Sequence, residues 1–170
     1  MKTILSQKLP RITKNRKKLE KLLNVRITNR GKEVFVEGEA EDEFIAEKVI
    51  DALNFGFPFS IAILVKEEDF LFEVLNIKDY TTRDDLKRIR ARIIGTKGGT
   101  LATLHQLTKC NFELNENRVG IIGEAEHIEN AQEAVISIVQ GSKQSNVYSF
   151  LEKNQVKPVI DLGLKDSVNK

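Results

Sequence analysis

Cysteine occurs once in the 170-residue chain, at Cys110, which excludes an internal disulfide and any cysteine-based zinc site. Histidine is nearly as scarce. His105 and His127 have no His or Cys partner at ligand spacing, so no metal is expected and both read as solvated surface residues. Long apolar runs are missing too. The longest, Ile61–Val65, is five residues, far short of a membrane span, and Met1–Ser6 has no apolar core of signal-peptide length. A cytoplasmic protein is expected. No serine or cysteine has a companion His–Asp set. Gly95–Gly99 lacks the spacing of a P-loop and its trailing Lys-Ser/Thr. The carboxylates Glu37, Glu39, Glu41, Asp42 and Glu43 suit a strand edge and a helix start, where acids favour the helix dipole, better than a Mg²⁺ nuclease site. These absences together predict a chain that is not an enzyme and carries no cofactor.

What is present is a globular composition, 41% hydrophobic and 31% charged, in a length that suits one ordinary domain or two small ones. The net charge of +2 hides a segregation. Residues 1–32 hold 11 Lys/Arg against one acid, and residues 33–79 hold 3 against 13. Residues 83–109 then hold 7 against 2, and residues 110–153 hold 3 against 7. A polyanion would meet the two basic stretches, while the acidic blocks read as solvated faces.

Within the second basic stretch, Ile93-Ile94-Gly95-Thr96-Lys97-Gly98-Gly99 separates two segments of helical spacing. Leu86, Ile89 and Ile93 precede it; Leu101, Leu104 and Leu107 follow. Glycines three apart, with a lysine between them, let the backbone approach another chain with no Cβ in the way. The following helix points free N–H groups back into the loop, which suits a phosphate. Two alternating runs come next, Cys110–Leu114 and Arg118–Ile122, split by Asn115-Glu116-Asn117 as in a hairpin. A last amphipathic helix carries Ile128, Ala131, Val135 and Ile138. Helix, G-x-x-G, helix, two strands, helix is the order of a KH module, whose GXXG loop clamps about four nucleotides of a single strand. The helix before the loop adds two basic rows, Arg83-Lys87-Arg90 and Arg88-Arg92, some of which are expected to meet backbone phosphates. The predicted RNA-binding set is Arg88, Arg92, Ile94, Gly95, Thr96, Lys97, Gly98, Gly99 and Lys109. The plain alternative is a tight helical corner that uses glycine for sharpness alone; the surrounding element order weighs against it.

The same order occurs earlier in the chain at an offset of 85. Leu19/Leu104, Leu22/Leu107, Val34/Val119, Gly38-Glu39-Ala40/Gly123-Glu124-Ala125, Ala46/Ala131 and Gly56/Gly141 are identical. Val25/Cys110, Ile50/Val135 and Leu53/Ile138 are conservative pairs. The fold class is therefore α+β: two tandem type I KH-like modules, each a small three-stranded sheet packed by helices, the first degenerate. Residues 1–66 form the degenerate module, 67–153 the module with its loop at 95–98, and 154–170 a flexible tail. At the constant offset, 95–98 fall on Pro10-Arg11-Ile12-Thr13, which has no glycine, so the first module keeps the fold and loses the clamp. Nine residues before Pro10 are too few for both a strand and a full first helix. Also expected are a basic helix near Thr13–Leu23, a hairpin of Val25–Thr28 and Glu33–Glu37, and a helix near Glu41–Leu53. A connector over 57–68 holds a short apolar helix, and a strand near Phe70–Ile77 opens the second module. Thr82–Asp85 reads as a capping box, and Gly141–Glu152 as a further helical turn.

These residues carry a family likeness. Arg90-Ala91-Arg92-Ile93-Ile94-Gly95-Thr96-Lys97-Gly98-Gly99-Thr100 resembles the second-module loop of the partner-of-NOB (Dim-two) proteins, archaeal branch, with the Krr family close by. Gly141-Ser142-Lys143-Gln144-Ser145-Asn146-Val147-Tyr148 resembles the segment after that family's last helix, and Ala52-Leu53-Asn54-Phe55-Gly56-Phe57 the end of its first module. The likeness covers about residues 10–152, and the lack of a long N-terminal extension fits the archaeal branch. It implies a small-subunit ribosome-assembly factor that binds near the 3′ end of the small-subunit rRNA. It also implies two protein partners, the NOB endonuclease and the alpha subunit of translation initiation factor two. The residues themselves lead as far as a non-catalytic single-stranded RNA binder. The competing readings are another two-KH RNA binder, of RNA degradation or translation, and a KH-fold scaffold that docks proteins.

Overall fold

Both halves of the chain fold into the same succession of elements. The computed structural model describes residues 1–155, and no helix among them is long and apolar enough to cross a membrane. The first half runs β1 (Lys2–Leu5), α1 (Leu9–Thr13), α2 (Arg16–Leu23), β2 (Arg26–Arg30), β3 (Glu33–Glu37) and α3 (Ala40–Phe55). A short α4 (Phe59–Ala62) and a 3₁₀ turn at Ile63–Lys66 lead into the second half. That half runs β4 (Phe70–Asn76), α5 (Leu86–Ile94), α6 (Gly99–Thr108), β5 (Asn111–Asn115), β6 (Arg118–Glu124) and α7 (Ala125–Val139), followed by α8 (Gln144–Lys153).

Each half builds a three-stranded antiparallel sheet with its last strand in the middle, in the orders β1-β3-β2 and β4-β6-β5. The hairpin turn joins the last two strands, and the first strand, two helices away in sequence, takes the remaining edge. Residues related by the offset of 85 occupy equivalent places. Leu19 and Leu104, Val34 and Val119, Ile50 and Val135, and Leu53 and Ile138 are all fully buried in the two cores. Asn24 and Lys109 end their helices in the left-handed conformation, at φ 55° and 58°.

The two halves share an interface. On β6, Val119 and Ile121 belong to the second core, while Ile122 packs into the first. The rings of Phe55 and Phe57 lie against Gly120 so closely that a Cβ there would come within 2.6 Å of Phe55 and 2.9 Å of Phe57. Phe72 meets both rings edge-on, Asn115 Nδ2 donates to the Phe55 carbonyl at 2.9 Å, and the Arg118 guanidinium lies 5.3 Å from the Phe55 ring centre. Burial on both faces explains why β6 reads as an almost unbroken apolar run.

Several expectations change. The basic helix near Thr13–Leu23 is α2, which starts later, at Arg16, and is preceded by the separate α1. The start of the chain accommodates both a strand and a first helix by shortening each, to four and five residues. Pro10 sits in the first turn of α1, where the missing N–H costs nothing. Thr82–Asp85 forms no capping box: Asp85 is the N-cap of α5 without a side-chain bond, and the Thr81 hydroxyl accepts from Arg83 N instead. The helical turn expected in Gly141–Glu152 is the ten-residue α8, anchored by Val147 and Leu151. Of the expected tail, residues 156–170 lie outside the described residues.

Candidate nucleic-acid interface

The loop at residues 95–98 is set by three successive demands. Gly95 ends α5, its N–H bonding to Ala91 O at 2.8 Å, and adopts φ 77°, ψ 174°. Lys97 takes φ 54°, ψ 31°, a left-handed conformation that an L side chain rarely adopts. Gly98 follows at φ 74°, and Gly99 opens α6 with ordinary helical angles. The result is a tight turn that aims the start of α6 at solvent.

The three glycines answer to different needs. A Cβ on Gly95 would lie 2.2 Å from Thr100 Oγ1 and 2.5 Å from Thr100 N, so the fold itself requires glycine there. At Gly98 a Cβ would meet nothing within 4 Å, and only its φ favours glycine. At Gly99 neither space nor φ demands it. Two adjacent glycines facing open space leave the backbone of the turn bare, as close approach by a phosphate needs.

The rest of the predicted set divides. Thr96, Lys97, Arg88 and Lys109 are exposed, and among the described residues none of the four pairs with a carboxylate. Ile94, 38% exposed at the end of α5, is an apolar side chain placed beside the turn. Arg92 is turned inward: its guanidinium donates to Ile138 O at 2.9 Å and to Ser142 O at 2.5 Å, joining α5 to the end of α7. Arg90 is also engaged, donating to Asn117 Oδ1. Of the two basic rows, Arg83, Lys87 and Arg88 remain exposed. Arg83, Arg88 and Arg92 line one polar cleft beside Gly141.

Arg92 has a counterpart that shows what became of the loop in the first half. Arg11 donates to Gly56 O at 2.8 Å and to Phe57 O at 2.9 Å, at the end of α3. Each arginine precedes a fully buried isoleucine, Ile12 or Ile93. The equivalence is therefore 81 residues before the corner and 85 after it, and the first half lacks the four loop residues altogether. Pro10–Thr13, aligned with the loop at a constant offset, instead lie within α1. Only Lys14 and Asn15 separate α1 from α2, and Asn15 Nδ2 closes the corner onto Arg11 O at 2.7 Å. The arginine pairing went unread in the sequence, although Arg-Ile recurs at both places.

His105 lies at the surface, as expected, whereas His127 is largely covered. His105 Nδ1 and Cys110 O lie 2.8 Å apart, tying α6 to β5. His127 Nε2 is 3.4 Å from Glu126, and with Glu124 these form a small surface cluster of potential ligand atoms. Burial pushes the Cys110 thiol up to about 11, well away from a reactive thiolate.

Comparison with known proteins agrees with this geometry. The family model of the second KH domain of PNO1, described as a eukaryotic type KH-domain (KH-domain type I), matches residues 71–156. The KH domain-containing protein MJ0443 of Methanocaldococcus jannaschii is 32% identical over 113 residues, covering 66% of this chain and 50% of that protein. The pre-rRNA-processing protein PNO1 of Candida albicans is 34% identical over 105 residues, 60% of this chain and 38% of its own length. The chain thus spans half or less of the length of these curated relatives. Dim2p of Pyrococcus horikoshii superposes with a TM-score of 0.80 at 27% identity, covering 90% of this chain and 98% of that one. The same protein in a complex with a/eIF2alpha and rRNA gives 0.79 at 26% identity, covering 89% and 92%.

Proposed function

The chain belongs to the PNO1 family of type I KH proteins, and on that premise we propose that it is a non-catalytic, single-stranded RNA-binding factor of small-subunit ribosome biogenesis. Its RNA is the 3′ end region of the small-subunit rRNA, and its place of action the cytoplasm. In this reading residues 67–153 form the clamping module and residues 1–66 its loopless companion. The Pyrococcus complex with a/eIF2alpha and rRNA supports an rRNA partner and the initiation-factor alpha subunit as a second one. The likeness to partner-of-NOB proteins adds the NOB endonuclease.

The observation that carries the reading is the bare turn at Gly98-Gly99, with Lys97 beside it and no acid among the described residues paired to it. Phosphate contacts come from Lys97, Arg88, Lys109 and the N–H groups at the start of α6, and Ile94 offers an apolar surface to a ribose or base. The test is fluorescence anisotropy with a single-stranded RNA of the rRNA 3′ end, titrated against the full chain and Gly98→Asp. A carboxylate in the turn repels phosphate, so affinity should fall about tenfold or more, near 1.4 kcal/mol, with an unchanged circular dichroism spectrum. Unaltered affinity in a folded variant would remove the loop from the binding site and favour the protein-docking scaffold.

A further inference from the structure

The four sheet edges are not alike. β1 is four residues long and carries Lys2; β2 carries Arg26 and Arg30; β5 alternates Asn111, Glu113 and Asn115. Short length and charge are how edges are kept from pairing with other chains. β4 is the least protected of the four, with Glu73 its one charge. It is seven residues long, reads Phe-Leu-Phe-Glu-Val-Leu-Asn, and among the described residues pairs with β6 on one side and no strand on the other.

A groove runs along that open edge. On one side it is walled by Lys48 and Asp51 of α3 and floored by Val65; it continues past Asp51 toward Leu5, Asn54 and Phe55. Leu5, Leu71 and Val74, all lining it, are 67%, 36% and 42% exposed, among the few large apolar side chains left in solvent. Ile94, at the loop, has a use already; these three have none.

The charges decide the occupant. Beside β4 the lining holds two acids, Asp51 and Glu73, against one cation, Lys48, whose Nζ lies 4.4 Å from the centre of Phe44, while Arg118 lines the other part, 5.3 Å from the centre of Phe55. Asp51 lines both parts of the groove and forms no ion pair among the described residues. Burial, and then the neighbouring Glu47, push its carboxyl up to about 6. Glu73 adds a second acid on β4 itself. A second copy of this chain, laid β4 to β4, would bring these acids against their own kind. We propose that the β4 edge takes an extended segment of a partner protein as a fourth strand, one whose alternate residues are apolar and whose others are Lys or Arg. The site does not depend on the RNA-binding reading.

The test uses the full chain, ¹⁵N-labelled, and three blocked heptapeptides: alternating Val and Lys, alternating Val and Glu, and the Val/Lys peptide N-methylated at alternate residues. The Val/Lys peptide should shift the amides of Phe70–Asn76 and of the facing turn of α3, and leave the loop amides unmoved. The Val/Glu and N-methylated peptides should not. Asp51→Lys should weaken the Val/Lys peptide about two- to fivefold, the range of an exposed charge pair, without changing RNA affinity. No shift along β4, equal shifts with the Val/Glu or N-methylated peptide, or no effect of Asp51→Lys would each overturn the proposal. So would peptide-free dimerisation, seen by sedimentation and abolished by Val74→Lys, because the occupant would then be a second copy.

Discussion

The two helical corners of this molecule differ by four residues of chain, counted between the buried isoleucine and the buried leucine that flank each. In the first half α1 passes into α2 through Lys14 and Asn15; in the second, α5 passes into α6 through Gly95, Thr96, Lys97 and Gly98. On either side of each corner the same devices recur: an arginine tied to the carbonyls at the end of the last helix, a buried isoleucine, a buried leucine eleven or seven residues further on. Ile12 to Leu19 is seven residues and Ile93 to Leu104 is eleven, so the loop is an insertion of about one helical turn into a scaffold that closes without it. Of the two corners, only the longer holds a non-glycine residue at positive φ, Lys97 at 54°. Strain that the scaffold does not need is best explained by what binds there.

The comparison is broken most severely at Gly95. Gly95→Ala drives a Cβ into Thr100 and forces an L side chain to positive φ, so it should destabilise the chain by about 2–3 kcal/mol in urea denaturation. Gly98→Ala meets open space and bears the φ cost alone, about 1 kcal/mol. Gly99→Ala has helical angles and free surroundings and should stabilise by about 0.5 kcal/mol. Gly98→Ala and Gly99→Ala should weaken RNA binding by placing a methyl on the open side of the turn, and Gly95→Ala by distorting the turn against Thr100. A Gly99→Ala chain that is more stable and binds RNA as tightly as before would show that the clamp ends at Gly98.

Next in size are the arginines. Arg11→Ala and Arg92→Ala each remove a charged donor from two carbonyls at a helix end, and each should cost about 2–3 kcal/mol. The symmetry makes the losses similar, and Arg→Lys should restore part of either. The salt dependence of RNA binding separates packing from contact. A residue that holds α5 in place leaves the log–log slope unchanged, whereas one that meets a phosphate lowers it by about 0.7. We expect an unchanged slope for Arg92→Ala. A lower slope would return Arg92 to the phosphate-contacting set predicted from its spacing.

Much of this architecture was legible because periodicity is local. The 3.6-residue spacing of Leu86, Ile89 and Ile93 and the alternation of Cys110–Leu114 mark their elements, and the offset of 85 links hairpin, Gly-Glu-Ala and last helix across the halves. The four-residue deletion stayed hidden for a physical reason: a shift of four is close to a full helical turn, so the apolar phase of α1 survives it. Pro10 seemed a substitute for a loop glycine because proline in the first turn of a helix looks, in sequence, like a breaker. The roles of Arg11 and Arg92 depend on carbonyls 45 to 50 residues away, which spacing along one helix does not reveal. Spacing therefore sorts these residues into two basic rows of which some meet phosphate, and it does not tell that Arg90 and Arg92 are the ones that turn inward.

The smallest expected effect is at Lys97, and it sharpens the comparison most. The left-handed conformation costs an L residue about 1 kcal/mol, and no counterpart of Lys97 exists in the first half. Asparagine tolerates that conformation better than lysine does, so Lys97→Asn should raise stability by about 0.5 kcal/mol. It also removes a charge, and the log–log salt slope for single-stranded RNA should fall by about 0.7. Lys97→Arg should leave both quantities near those of the parent. Similar losses across unrelated RNA sequences would mark Lys97 as a phosphate contact, since such contacts position a strand without reading it. A loss confined to one sequence would mean that its side chain reaches a base. If Lys97→Asn gains stability and keeps the parental slope, the strained lysine has no contact with the strand, and strain in the longer corner must be traced to the turn itself.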